Sequence, residues 1–177
     1  MPVGKLTAAE AEHLQREHVV DWLIGNHDSH DRQFLRGKDG HVWGIDKAQA
    51  FKHLGNDKLD IAYHPNAAFG EREPIYNTMF RALGNGEMKL DPAIALQHAR
   101  TLAAIPDDIY TAILKPYADG RFPDLGKREA FLKLALDRKR GLEAEICAYY
   151  DRMTPGAIPS HLVGVMEEVE KLGWQGK

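Results

Sequence analysis

The chain has 177 residues, 44% hydrophobic and 28% charged, a length that accommodates one domain with a sizeable core. Its net charge of −3 and pI near 6.3 argue against a dedicated binder of nucleic acid or acidic membranes. A single cysteine, Cys147, excludes an internal disulfide, no apolar run approaches the roughly 20 residues of a membrane span, and "MPVGKLTAAEAEHLQ" carries no signal-peptide core, so a cytoplasmic protein is expected.

Thr7 and Glu10 have the spacing of a capping box, which predicts a helix from there to about Ile24. It ends in an apolar cluster, Val19, Val20, Trp22, Leu23 and Ile24, expected in the core, and Gly25 and Asn26 are natural terminators. After a loop over 26–32, "QFLRGKDGHVWGID" predicts a β-hairpin around a Gly-containing turn to which Asp39 belongs. Residues 47–72 are irregular, punctuated by Gly55, Asn56, Pro65 and Gly70.

The remainder reads as helical. "PIYNTMFRALGNG" places Ile75, Met79, Phe80 and Leu83 on one face before a Gly-Asn-Gly stop. In "LDPAIALQHARTLAAI" Asp91 is the expected N-cap and Pro92 the first helical residue, and "PDDIYTAILKPYA" repeats the device with Pro106. A long helix from about Lys127 to Met153 carries Phe131, Ala135, Leu142, Ile146, Tyr149 and Met153 along one stripe, with Cys147 buried. Its run "LDRKRGLEAE" reads as a charged outer face, and "PSHLVGVMEEVEKLGW" closes the chain as a last helix. Trp22 and Trp43 both read as core residues. The expected fold is one mainly α domain over 1–177, with one small β-hairpin after the first helix and a helical remainder over 74–173.

The polar groups concentrate in "WLIGNHDSHDRQFLRGKDGHVWGID", with three histidines and four aspartates. "GNHD" matches one block of the calcineurin-like metallophosphoesterases, but the upstream D-x-H and aspartate blocks that a two-metal site needs are missing from the preceding 24 residues. A histidine-bound metal hydrolase could draw on His27, His30, His41 and His53, although no cysteine stands near them. The other histidines, such as His13, His64, His98 and His161, read as surface or satisfied groups. The third reading is phosphoryl transfer. It needs an aspartate to orient and accept the proton of an attacking hydroxyl, then an amide oxygen and a second aspartate to hold magnesium on the phosphates. Asp28 stands at the exit of the apolar helix, Gln33 follows at i+5, and Asp46 ends the hairpin that brings it back toward Gln33.

"LIGNHDSHDRQFL" followed by "VWGIDKAQAF" resembles the catalytic and metal-binding loops of the phosphatidylinositol 3/4-kinase-like and HipA-like branch of the protein-kinase-like fold. Asn26, Asp28, His30, Asp46 and Phe51 fall on that pattern, which spans roughly Val19 to Phe51, with the two loops over 25–51. The resemblance implies Asp28 as catalytic aspartate, His30 as proton partner or support, and Asp46 with Gln33 as magnesium ligands. Gln33 stands where the family has asparagine, and Ser29 where it usually has arginine. Implied too are ATP and Mg as cofactors, and an N-terminal lobe with a phosphate-covering loop and a phosphate-gripping lysine. No such lobe is legible here, so weak or no activity is expected unless a partner supplies it. The acceptor (lipid, protein or small molecule) stays open, as does a non-catalytic interaction module that keeps the fold.

Overall fold

The computed structural model describes residues 6–26, 31–51, 82 and 86–152. They form a mainly helical fold with one two-stranded antiparallel sheet after the first helix, as the sequence predicts. Helix α1 (Ala8–Ile24) opens on the expected capping box: the Glu10 N–H donates to Thr7 Oγ1 at 3.2 Å, and the Thr7 N–H donates to Glu10 Oε2 at 2.8 Å. Gly25 ends it at φ 56°, a left-handed turn that glycine makes without a Cβ clash. Leu14, Val19, Trp22 and Leu23 are buried, whereas Val20 and Ile24 are only half-buried.

A 3-10 turn over Asp31–Gln33 leads into β1 (Phe34–Arg36), which pairs with β2 (Val42–Gly44) in the register Phe34 to Gly44, Leu35 to Trp43 and Arg36 to Val42. Strand alternation puts Phe34 and Val42 inward, both buried, and Leu35 and Trp43 outward, each 54% exposed. Trp43 is therefore not a core residue. Its ring stacks on His41 at 4.0 Å on the outside of the hairpin, and only Trp22 of the two belongs to the core. Asp39 closes the turn as expected, its carboxylate accepting the His41 N–H at 3.0 Å.

Helix α2 (Pro92–Ala103) begins at the Asp91 cap, whose Oδ1 accepts the Ala93 N–H at 2.9 Å. Helix α3 (Asp107–Arg121) starts one residue later than expected: Pro106 is its N-cap, not its first turn, and has no side chain to cap with. Pro116 lies inside α3 without ending it. Proline has no N–H to give the Ala112 carbonyl, and both residues are exposed, on the side of the helix that water reaches. Helix α4 (Leu125–Arg152) packs against α1, α2 and α3, and α1 also packs against α2 and β2. Phe131, Ala135, Leu142 and Ile146 form its buried stripe, as the periodicity predicts, while Cys147 is half-buried.

The run of charge on α4 departs from expectation. Lys139 is only 2% exposed; its ammonium lies 2.7 Å from Asp107 Oδ1 and donates to the carbonyls of Ala103 and Ile105. It thereby joins the end of α2 to the start of α3. Neighbouring Arg138 crosses to α1, donating to the carbonyls of Trp22 (2.5 and 2.8 Å) and Leu23 (3.1 Å). α1 has no basic residue in its own last turn, so Arg138 supplies the positive charge that a helix C-terminus favours.

Among the described residues, no helix is long and apolar enough to cross a membrane. Ala82 is helical and buried, but otherwise the helix expected over 74–83 lies outside the described residues, as does the closing helix.

Candidate functional site

One face of α1 carries Glu10, His13, Glu17 and Asp21, at the i, i+3, i+7, i+11 spacing of a single stripe. A polar stripe facing inward needs partners, and the hairpin and the segment after it provide them. Glu10, already engaged in the capping box, also accepts Arg36 Nε at 2.5 Å. His13 Nδ1 accepts the Val42 N–H at 3.3 Å, and its ring lies 3.9 Å from that of His41. Glu17 and Asp21 accept from Lys47 Nζ at 3.1 and 2.6 Å. Helical spacing is the one sequence signal for this stripe, and it does not reveal the distant groups that the stripe meets.

Asp21 is the focus of the group. Its side chain is fully buried, and Oδ1 also accepts Asn26 Nδ2 at 2.9 Å, while the Asn26 N–H donates to the Asp21 carbonyl at 2.9 Å. A carboxylate in that position is tolerable only with a cation and hydrogen bonds around it. Burial works to lower the Lys47 pKa, but the two carboxylates beside it outweigh this, and the net direction is upward. Gly44 fits closely under the pair: a Cβ there would run into the Glu17 carboxylate and the Lys47 ammonium.

The described residues on either side of 27–30 and the segment after the hairpin are thus bound to each other and to the end of α1. The Ile45 N–H donates to the Gln33 carbonyl at 2.7 Å, extending the hairpin by one step, and the Phe51 N–H donates to the Ile24 carbonyl at 2.8 Å. Asp46 and Phe51 both have positive φ, 51° and 54°. Aspartate adopts that region readily; for phenylalanine it costs on the order of 1 kcal/mol, and packing must hold it. The Phe51 ring is buried, 5.4 Å from Phe131 and 5.9 Å from Tyr117, so α3 and α4 anchor the exit of the second loop.

Asp28 and His30, expected as catalytic residues, lie outside the described residues, as do His27 and His53. Gln33 and Asp46 are close in the backbone, because Ile45, the residue before Asp46, bonds to Gln33. Their side chains differ in setting: Gln33 is 7% exposed, whereas Asp46 is exposed, and no hydrogen bond or ion pair among the described residues engages its carboxylate. A carboxylate and an amide oxygen are donors that suit a hard cation such as magnesium, and Asp46 is available to one. Among the described residues there is no cluster of three or more His, Cys, Asp or Glu able to hold a metal.

Comparison of the chain with known protein families, with curated proteins and with solved structures finds no match.

Proposed function

We propose that this chain is a kinase-like catalytic lobe that binds ATP and magnesium for phosphoryl transfer to a hydroxyl, in the cytoplasm, completed by an N-terminal lobe from a partner or further chain. The observation that carries this reading is the tie between the two loops: Asn26, at the head of the Asn26-x-Asp28-x-His30 pattern, and Lys47, beside Asp46, share the Asp21 carboxylate. In this reading Asp28 orients the acceptor hydroxyl and takes its proton, with His30 in support. Asp46 and Gln33 hold the metal, which when bound would neutralise charge on the phosphates. Arg138 and Phe51 keep the roots of the two loops in place.

The test is calorimetric titration of ATP, with and without magnesium, into wild type and Asp46→Ala. Magnesium-dependent binding that Asp46→Ala abolishes supports the reading. Absence of binding at millimolar nucleotide overturns it for this chain. A non-catalytic interaction module is the second reading, favoured by the outward pair Leu35 and Trp43, which leaves the hairpin with an exposed apolar surface. A chain that folds normally and binds no nucleotide fits that reading.

A further inference from the structure

We infer that Asp21 is a positioning residue, whose buried carboxylate sets the second loop, and with it Asp46, against the first. The inference rests on the proposed nucleotide and magnesium site and adds to it a residue outside the pattern that suggested it.

Asp21 sits one turn before the end of α1, where Arg138 holds the carbonyls of Trp22 and Leu23. Its position is therefore fixed by the packing of α1 on α4. From that fixed point one oxygen, Oδ1, bonds both Asn26, two residues before Asp28, and Lys47, next to Asp46. The bond to Lys47 draws the ammonium inward under Gly44 and leaves the adjacent Asp46 carboxylate outward. Glu17 reinforces this from one turn earlier, at 3.1 Å from the same ammonium. Lys47 is thus committed to α1, and the loop cannot turn about Asp46 without breaking an ion pair to a fully buried carboxylate. Neutralising Asp21 keeps an oxygen for Asn26 but removes the nearer, fully buried charge that holds Lys47 and leaves only Glu17 at 3.1 Å, so Asp46 loses its fixed direction. Groups that orient metal ligands from behind typically change metal affinity by about 10–100-fold when altered.

The experiment is ATP titration by calorimetry over a series of magnesium chloride concentrations, on the 177-residue chain and its variants, with thermal unfolding of each. In Asp21→Asn the expected result is an unchanged ATP affinity without magnesium and a loss of at least about tenfold in the enhancement that magnesium gives. Lys47→Arg, which keeps the cation, should retain most of the enhancement. Lys139→Met, whose partners Ala103, Ile105 and Asp107 lie outside this site, should retain all of it, showing that lost stability alone does not produce the effect. If Asp21→Asn does not fold, Glu17→Gln/Asp21→Asn/Lys47→Met removes all three charges together, a replacement that buried ion groups often tolerate, and the same loss is expected. A folded variant with wild-type magnesium enhancement overturns the inference and leaves the proposed function standing. Wild type that binds no nucleotide overturns both.

Discussion

The ammonium of Lys139 on α4 lies 2.7 Å from the carboxylate of Asp107 at the start of α3, although the lysine side chain is 2% exposed and the aspartate 43%. The lysine stem is buried, and its tip serves two carbonyls and a carboxylate where α2 hands over to α3. Lys139 and then Arg140 donate to Asp107, which holds that carboxyl below its usual range. Lys139→Met keeps most of the volume but leaves the Ala103 and Ile105 carbonyls without this donor. The expected loss is about 1–3 kcal/mol in urea unfolding. A variant as stable as wild type would mean that water replaces the ammonium there.

His18 gives the fold a dependence on pH. It is buried on α1, beside Trp22 at 5.8 Å between ring centroids, and burial pushes its pKa down to about 3. The unfolded chain takes up this proton near the ordinary value of 6.5, whereas the folded chain resists it. Stability from this group is therefore complete above about pH 6.5 and declines as pH falls, by about 1.4 kcal/mol per unit within the window. Urea midpoints between about pH 7 and 5, above most carboxylate titrations, read this slope together with the share of His98, whose pKa burial also lowers, and His18→Leu should remove the His18 share. Equal slopes in the two proteins would mean that His18 titrates in the folded state.

Gly44 is packed against the pair that braces the second loop. Gly44→Ala puts a methyl group where the Glu17 and Lys47 side-chain tips now lie, and those tips must shift. We expect a loss of about 1–3 kcal/mol in thermal or urea unfolding. In calorimetry, the variant should also lose part of the magnesium-dependent nucleotide binding proposed above. Loss of stability with no effect on that binding would separate the brace from the site.

Tyr110 offers a contrary case. Its hydroxyl is buried with no hydrogen-bond partner among the described residues, and burial raises its pKa to about 12. An unpaired buried hydroxyl is a cost that Tyr110→Phe removes while keeping the ring under Lys139. The variant should gain about 1 kcal/mol, read from the urea midpoint. A destabilised variant would reveal a partner for that oxygen.

Local signals were legible wherever one element carried them. Thr7 with Glu10, Asp91 with Pro92, the hairpin turn and the stripe from Phe131 to Ile146 all depend on neighbours within a few residues. What escaped depends on distant partners. Nothing local distinguishes Lys139 from a solvated lysine, because its partners come from the end of α2 and the start of α3. Trp43 lies on the outer face of β2, and which face of the hairpin α1 covers depends on contacts that the strand residues alone do not encode. At the candidate site, the hairpin pattern shows in the sequence that Gln33 and Asp46 come close in the backbone, but it does not show buried Asp21 between Asn26 and Lys47. Its partners Asn26 and Lys47 come from opposite sides of the hairpin.

The grip of Arg138 on the end of α1 also sets an order of events as the chain is made. The donor lies 116 residues after Trp22. A ribosome adding about 5–20 residues per second takes roughly 6–23 s to bridge that interval. Until then α1 can form, and the hairpin can close against it, but the last carbonyls of α1 have no guanidinium from α4. The root of the first loop is thus secured late in synthesis. A nascent chain halted before α4 would carry the residues of both loops without the clasp that holds their common root.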